Sequence, residues 1–157
     1  MLISTLSLPE QLVLTLAALI LLTSFIMLAQ VRLDSLINTF AMQGLLLFFT
    51  TVLMAVISGE YHLLISAALT LFLKVFFIPI RLRRLVIDLD VRREVEVLGN
   101  PFLIMLFGTG LVLFSYYVAL PIRALSLLAT RNTIAISLAV VLIGMLIVIS
   151  RRKAVTQ

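Results

Sequence analysis

Five apolar stretches, about 12–30, 36–57, 62–80, 101–120 and 133–150, divide this sequence. Each is close to the roughly 20 residues that a helix needs to cross the hydrocarbon of a bilayer. In lipid a backbone has to satisfy its own hydrogen bonds, so such stretches fold as helices and not as open strands. The expected fold is therefore an all-α integral membrane protein, a bundle of about five transmembrane helices that forms a single domain over residues 1–157. Composition agrees: 63% of residues are hydrophobic and 12% charged, a surface on which a soluble domain would precipitate. The first stretch is too long for the apolar part of a signal peptide and is preceded by Glu10 in place of a basic leader, so it reads as a retained helix. Pro9 suits the first turn of that helix.

The connections are short, apart from the third. From 81 to 97 the chain carries five arginines and four carboxylates, with Leu82, Leu85, Val86, Leu89 and Arg93 recurring at helical spacing. Arg84 with Asp88, Asp88 with Arg92, and Arg92 with Glu96 stand four apart, which predicts an amphipathic cytoplasmic extension of the third helix with a charge-paired outer face. It should end near Gly99-Asn100-Pro101. Such an extension either rests solvated at the interface or docks on a partner subunit.

Basic residues set the expected orientation. With five crossings, Arg123 and Arg131 fall on the side of the N-terminus. Nine others fall opposite: Arg32, the five arginines of the third connection, Arg151, Arg152 and Lys153. This bias puts the C-terminus in the cytoplasm and the N-terminus outside. It also accounts for the net charge of +5 through membrane topology, without a nucleic-acid partner.

Chemistry is tightly bounded. The absence of cysteine excludes disulfides, thiolate-held iron–sulfur clusters and cysteine-containing zinc sites from this chain. With His62 as the only histidine, neither a His-pair metal site nor a Ser-His-Asp arrangement is available. No glycine-rich phosphate loop occurs either. No catalytic site, cofactor or metal is expected in this chain. His62, beside Glu60 and Tyr61, reads first as an interfacial residue, with proton donation as the alternative. Gly108, Gly110 and Ser115 read as close helix packing, and Tyr116 and Tyr117 as an interfacial belt.

One residue stands out against this background. Lys74, in the third stretch, is the only ionisable side chain well inside a span. A lysine there costs about 2.5–3.5 kcal/mol on insertion scales, so it needs a partner, water or a function. Ser66, Thr70 and Lys74 recur every four residues and so form one stripe, while Thr39, Gln43 and Thr50 form another in the second helix. Two polar stripes in neighbouring helices are expected to face each other. In an antiparallel hairpin about Gly59-Glu60, Thr50 lies opposite Thr70, and Gln43 comes within reach of Lys74 directly or through one water. Pro79 lacks an N–H and leaves the carbonyl of Val75 without its helical partner, one turn from the lysine. Two readings follow: an ion path or proton relay through Lys74 and Gln43, with Thr50, Thr70 and Ser66 beside them, or a lysine that snorkels to the interface among hydroxyls that only bond helix backbones.

The segments Phe40-Ala41-Met42-Gln43-Gly44-Leu45-Leu46-Leu47, His62-Leu63-Leu64-Ile65-Ser66-Ala67 and Leu73-Lys74-Val75-Phe76-Phe77-Ile78-Pro79 resemble the hydrogenase-4 component E family. That family supplies a small membrane-arm subunit to group 4 membrane-bound hydrogenases, including formate hydrogenlyase complexes, and is related to the small membrane subunit of respiratory complex I. The likeness covers most of the chain, and the lysine–proline segment is its most distinctive part. It implies that Gln43, Lys74 and Pro79 are the family's polar elements, and that the chain sits in a bacterial or archaeal cytoplasmic membrane. Members continue beyond the fifth span into two further helices with a Leu-Glu-Asn-Gly-like motif that supplies an intramembrane glutamate. The present sequence ends at Arg151-Arg152-Lys153-Ala154-Val155-Thr156-Gln157, so it is expected to be either a short member or part of a longer chain.

The function that the resemblance implies is that of a non-catalytic subunit in a multisubunit oxidoreductase, helping to couple redox chemistry to proton or sodium translocation. Its partners would be antiporter-like and other membrane-arm subunits within the lipid bilayer. The competing expectations are a structural scaffold subunit and an accessory subunit of a cation antiporter or transporter module.

Overall fold

The first helix begins where the sequence can cap it. The backbone N–H and the hydroxyl of Ser7 both donate to the Glu10 carboxylate at 2.9 Å, and Pro9 occupies the first turn, where its missing N–H costs nothing. In this computed structural model, which describes residues 7–88, 100–120 and 128–150, the chain is helical almost throughout. Helix α1 spans Leu8–Ala29, α2 Leu33–Ser58 and α3 Tyr61–Thr70. A π-helical stretch, Leu71–Phe77, then leads directly into α4, Ile78–Asp88. Helices α5, Pro101–Ala119, and α6, Leu128–Ser150, complete the described residues.

The turns explain the hairpins. Helix α2 ends at Gly59, whose φ of 70° and ψ of 12° lie in the left-handed region, and the glycine N–H donates to the Ala55 carbonyl at 3.0 Å. A side chain there would be strained, so this glycine fixes a sharp reversal into α3. At the start of α5 the Asn100 side chain accepts from the Phe102 N–H at 3.1 Å, and Pro101 opens the helix at the expected start of the fourth apolar stretch; the expected end of the extension near Gly99 lies outside the described residues.

Among the described residues, five helices are long and apolar enough to cross a membrane: Leu8–Ala29, Leu33–Ser58, Tyr61–Asp88, Phe102–Ala119 and Asn132–Ser150. The chain is a multi-pass, all-α membrane bundle. The third crossing runs past the expected limit at 80 because α4 continues the same helix to Asp88; the expected extension beyond 88 lies outside the described residues. Of the arginine–carboxylate pairs expected there, only Arg84 and Asp88 are both described, and no ion pair joins them.

Helix α1 is the centre of the bundle. It packs on α2, α5 and α6, whereas α3, the π-helical stretch and α4 pack chiefly on α2. Accordingly 39% of the most apolar window of α1 is buried, against 11% for the third crossing, which occupies an edge. Leu28, Ile104 and Ile143 form a buried apolar cluster, with Leu21, Phe25, Val112, Leu146 and Ile147 packed against it. Small buried residues bring backbones together elsewhere: Ala17, Ala55, Ala67, Ala135 and Ala139. Ser115 is fully buried and its hydroxyl lies 3.0 Å from the Ala135 carbonyl, which ties α5 to α6. Leu12, Ile65, Phe72, Phe107 and Met145 are exposed around the perimeter, where a lipid bilayer is the matching solvent.

The two glycines expected to serve packing in the fourth crossing behave differently. A Cβ built on Gly108 would stand 2.8 Å from Leu28 Cδ2, so a side chain there has to displace a leucine of the buried core cluster. A Cβ on Gly110 would meet nothing within 4 Å among the described residues, so no close approach there depends on the glycine.

Candidate functional site

Pro79 shapes the backbone around the lysine. Its missing N–H would leave the Val75 carbonyl unpartnered in a regular α-helix. The turns ahead of the proline are instead wound as a π-helix over Leu71–Phe77, and the Ile78 N–H reaches back five residues to the Leu73 carbonyl. Proline and π-bulges are recognised causes of such local departures from the α pattern, and π segments recur at functional positions. Lys74 sits in the middle of the widened stretch.

Its side chain lies against α2. A Cβ on Gly44 would be 3.0 Å from Lys74 Cγ, 3.3 Å from Lys74 Cβ and 3.2 Å from Val75 Cγ2, so the aliphatic stem occupies the space that the glycine leaves. The ammonium stands over the ring of Phe40, with Nζ 5.1 Å from the centroid. That is within the range of about 6 Å for a cation–π contact, which contributes roughly 0.5–2 kcal/mol depending on desolvation. Lys74 is half-buried, and among the described residues no carboxylate pairs with it. All seven carboxylates of the sequence, Glu10, Asp34, Glu60, Asp88, Asp90, Glu94 and Glu96, lie outside the central parts of the apolar stretches. Among the described residues no counter-charge lies beside Lys74.

The hairpin register is the expected one, with Gly44 level with Lys74 and Val75, and the Asn38 side-chain oxygen accepting from the Arg83 guanidinium. The facing of the stripes is not. Gln43 is buried and turned onto α1, where its amide nitrogen donates to Ser24 Oγ at 2.7 Å and approaches the Ile20 carbonyl at 3.5 Å. Thr39 Oγ1 likewise accepts from the Gln30 side chain at 2.7 Å across the first connection. Gln43 and Thr39 therefore face the C-terminal part of α1, and the expected meeting of Gln43 with Lys74 does not occur. The reason is angular: successive helical residues differ by about 100°, so once Gly44 forms the close contact with the third crossing, Gln43 is rotated onto α1.

The remaining candidates separate in the same way. Thr50 Oγ1 donates to its own helix, to the Leu46 carbonyl at 2.8 Å, and Thr70 is half-buried near the π-helical stretch. Ser66 is exposed, off the face that Ala67 buries against α2. Pro79 is buried, on the packed side of the third crossing. His62 and Tyr61 are exposed at the far end of the hairpin.

Three contributors escaped the reading of the sequence. Gly44 and Phe40, which cradle Lys74, look like apolar filling, although a glycine inside a span is a recognisable sign of close helix approach. Ser24, the partner of Gln43, is one of two adjacent hydroxyl residues in the first crossing, and both it and Thr23 also donate to the Ile20 carbonyl, at 2.9 and 2.8 Å. Among the described residues no group of His, Asp or Glu could hold a metal ion. In comparisons with known proteins, no family model matches the chain, and neither a curated protein nor a solved structure matches it.

Proposed function

We propose that this chain is a membrane-arm subunit of an energy-converting, hydrogenase-like or complex I-like assembly, in which Lys74 contributes to coupling redox chemistry to proton or sodium movement. The observation that carries this reading is a lysine in the π-helical stretch midway along an edge helix, in a sequence whose carboxylates all lie near or beyond the ends of the apolar stretches. An intramembrane cation without a counter-ion of its own is costly, and a carboxylate or water chain supplied by a neighbouring subunit offsets that cost. The edge position of the third crossing leaves Leu69, Phe72 and Phe76 uncovered for such a neighbour. The resemblance of the Gln43-Gly44 and Lys74–Pro79 segments to the hydrogenase-4 component E family supplies the class of assembly. Gln43 enters as a tie between α1 and α2, and the ionic role rests on Lys74 alone.

The scaffold reading has its own support. Gln43, Thr39, Thr50 and Ser115 all use their hydrogen bonds within or between helices of this chain, as in a subunit that fills space and joins larger partners. The identity of the partners separates the possibilities. The tagged chain, extracted from its native membrane in mild detergent, should bring antiporter-like subunits together with hydrogenase or iron–sulfur subunits. Recovery with antiporter subunits alone would move it to a transporter module, and recovery as a lone, stable monomer would reject the subunit reading.

A further inference from the structure

Four basic residues gather at the end of the hairpin where α2 begins and α4 ends: Arg32, Arg81, Arg83 and Arg84. They point different ways. Pro79, buried, and Val86, half-buried, mark the face of α4 that packs on α2, and Arg83 reaches across to the Asn38 side chain. Arg81 stands two residues beyond Pro79, and Arg84 two residues before Val86, each about 200° around the helix from that face. Both are exposed, and their spacing of three places them one turn apart on the same outward side.

Below them the surface changes to apolar. The Arg81 guanidinium lies over the Phe77 ring, 5.3 Å from its centroid, which holds the charge at the upper edge of an exposed strip formed by Leu73, Phe77 and Ile80. The described carboxylate nearest in sequence, Asp88, makes no ion pair with Arg84. Two outward guanidiniums above an uncovered aliphatic and aromatic strip complement a phosphodiester carrying acyl chains, because the planar fork of arginine matches phosphate oxygens and the strip matches hydrocarbon. Arginines beside a membrane-crossing helix favour anionic over zwitterionic lipids, whose own cationic group they repel. We propose that Arg81 and Arg84 bind the phosphate of an anionic phospholipid whose acyl chains lie along Phe77, Ile80 and Leu73. This site is independent of the role of Lys74 and of the orientation of the chain.

The test uses the chain with whatever subunits accompany it, exchanged into discs of phosphatidylcholine with a minority of phosphatidylglycerol, and native mass spectrometry of the retained lipids. Phosphatidylglycerol should be enriched, and Arg81→Gln and Arg84→Gln should each lower the enrichment roughly fivefold, as expected for about 1 kcal/mol per arginine near the surface. Arg83→Gln, on the other face, should change it little. Inorganic phosphate at matched ionic strength should not displace the lipid, since it lacks the acyl contact; displacement would assign the site to free phosphate and overturn the proposal. Equal enrichment in the double variant would overturn it too. Because the sequence has no cysteine, Ile80→Cys provides a single attachment point for a benzophenone probe in otherwise unaltered protein. Photolabelling of phospholipid at that point is the expected result, and capture of a polypeptide there would show that a protein covers this face instead.

Discussion

Gly44 on α2 and Lys74 in the π-helical stretch occupy one another's space: a Cβ on the glycine would stand 3.0 Å from the lysine Cγ. The contact ties the one ionisable side chain found well inside a crossing among the described residues to a position where any larger residue has to push it. Gly44→Leu should overpack the α2 interface and lower stability by about 1–3 kcal/mol, read as thermal unfolding of the detergent-solubilised assembly. Gly44→Ala should be milder, and milder still in a Lys74→Ala background, where Cγ is gone. Additive losses in the double variant would show that the two residues do not share this space.

The fourth crossing provides a matched comparison. Gly108→Ala should destabilise by about 1–3 kcal/mol because its new methyl meets Leu28 Cδ2 at 2.8 Å. Gly110→Ala and Gly144→Ala meet nothing within 4 Å, so the gain of roughly 0.5–1 kcal/mol in helix propensity should leave them neutral or slightly stabilising. Equal losses at all three positions would contradict the packing of α1 on α5.

Gln43 and Ser24 form the tie between α1 and α2, at 2.7 Å. A double-mutant cycle with Gln43→Leu and Ser24→Ala should give a coupling of about 0.6 kcal/mol, as interhelical hydrogen bonds in membranes do on average. Gln43→Leu should also leave ion coupling largely intact, because its amide is turned away from Lys74. Loss of coupling without loss of stability would return Gln43 to the ion path.

Orientation is open to a direct check. If the five apolar stretches cross in alternation, the sequence puts nine basic residues on one side, the expected cytoplasmic one, and two on the other, with Lys74 within a span. A C-terminal reporter should therefore be active only in its cytoplasmic format. Activity of an external-side reporter at the C-terminus would reject the assigned orientation.

The number and approximate limits of the crossings were legible in the sequence because each span has to satisfy its own backbone, which ties apolar length to helix length. The reversal at Gly59 was legible for a local reason, since glycine permits a left-handed residue, while the start of α5 was legible only as the beginning of an apolar stretch, the Asn100 cap going unread. Lys74 was legible as a cost. What it touches was not. Spacing by four places Thr39 and Gln43 on one face but says nothing about which neighbour that face meets, and the choice of α1 depends on Ser24 and the Ile20 carbonyl, far away in the chain. The π-helical stretch also shifts the registry that a regular helix would give to Ser66 and Lys74, so a stripe drawn with one period does not survive it.

The most direct measurement concerns Lys74 itself. Lys74→Met keeps length and apolar bulk while deleting the charge, so the helix should insert and the assembly form at least as readily as with the lysine. Redox turnover and ion uptake are then compared in membranes that hold equal amounts of assembled complex. Turnover-linked ion uptake should fall sharply in the methionine variant, and Lys74→Arg should restore it poorly, because arginine keeps the charge but scarcely releases a proton. Unchanged coupling in the methionine variant would contradict an ionic role and leave this subunit as a scaffold whose lysine only snorkels.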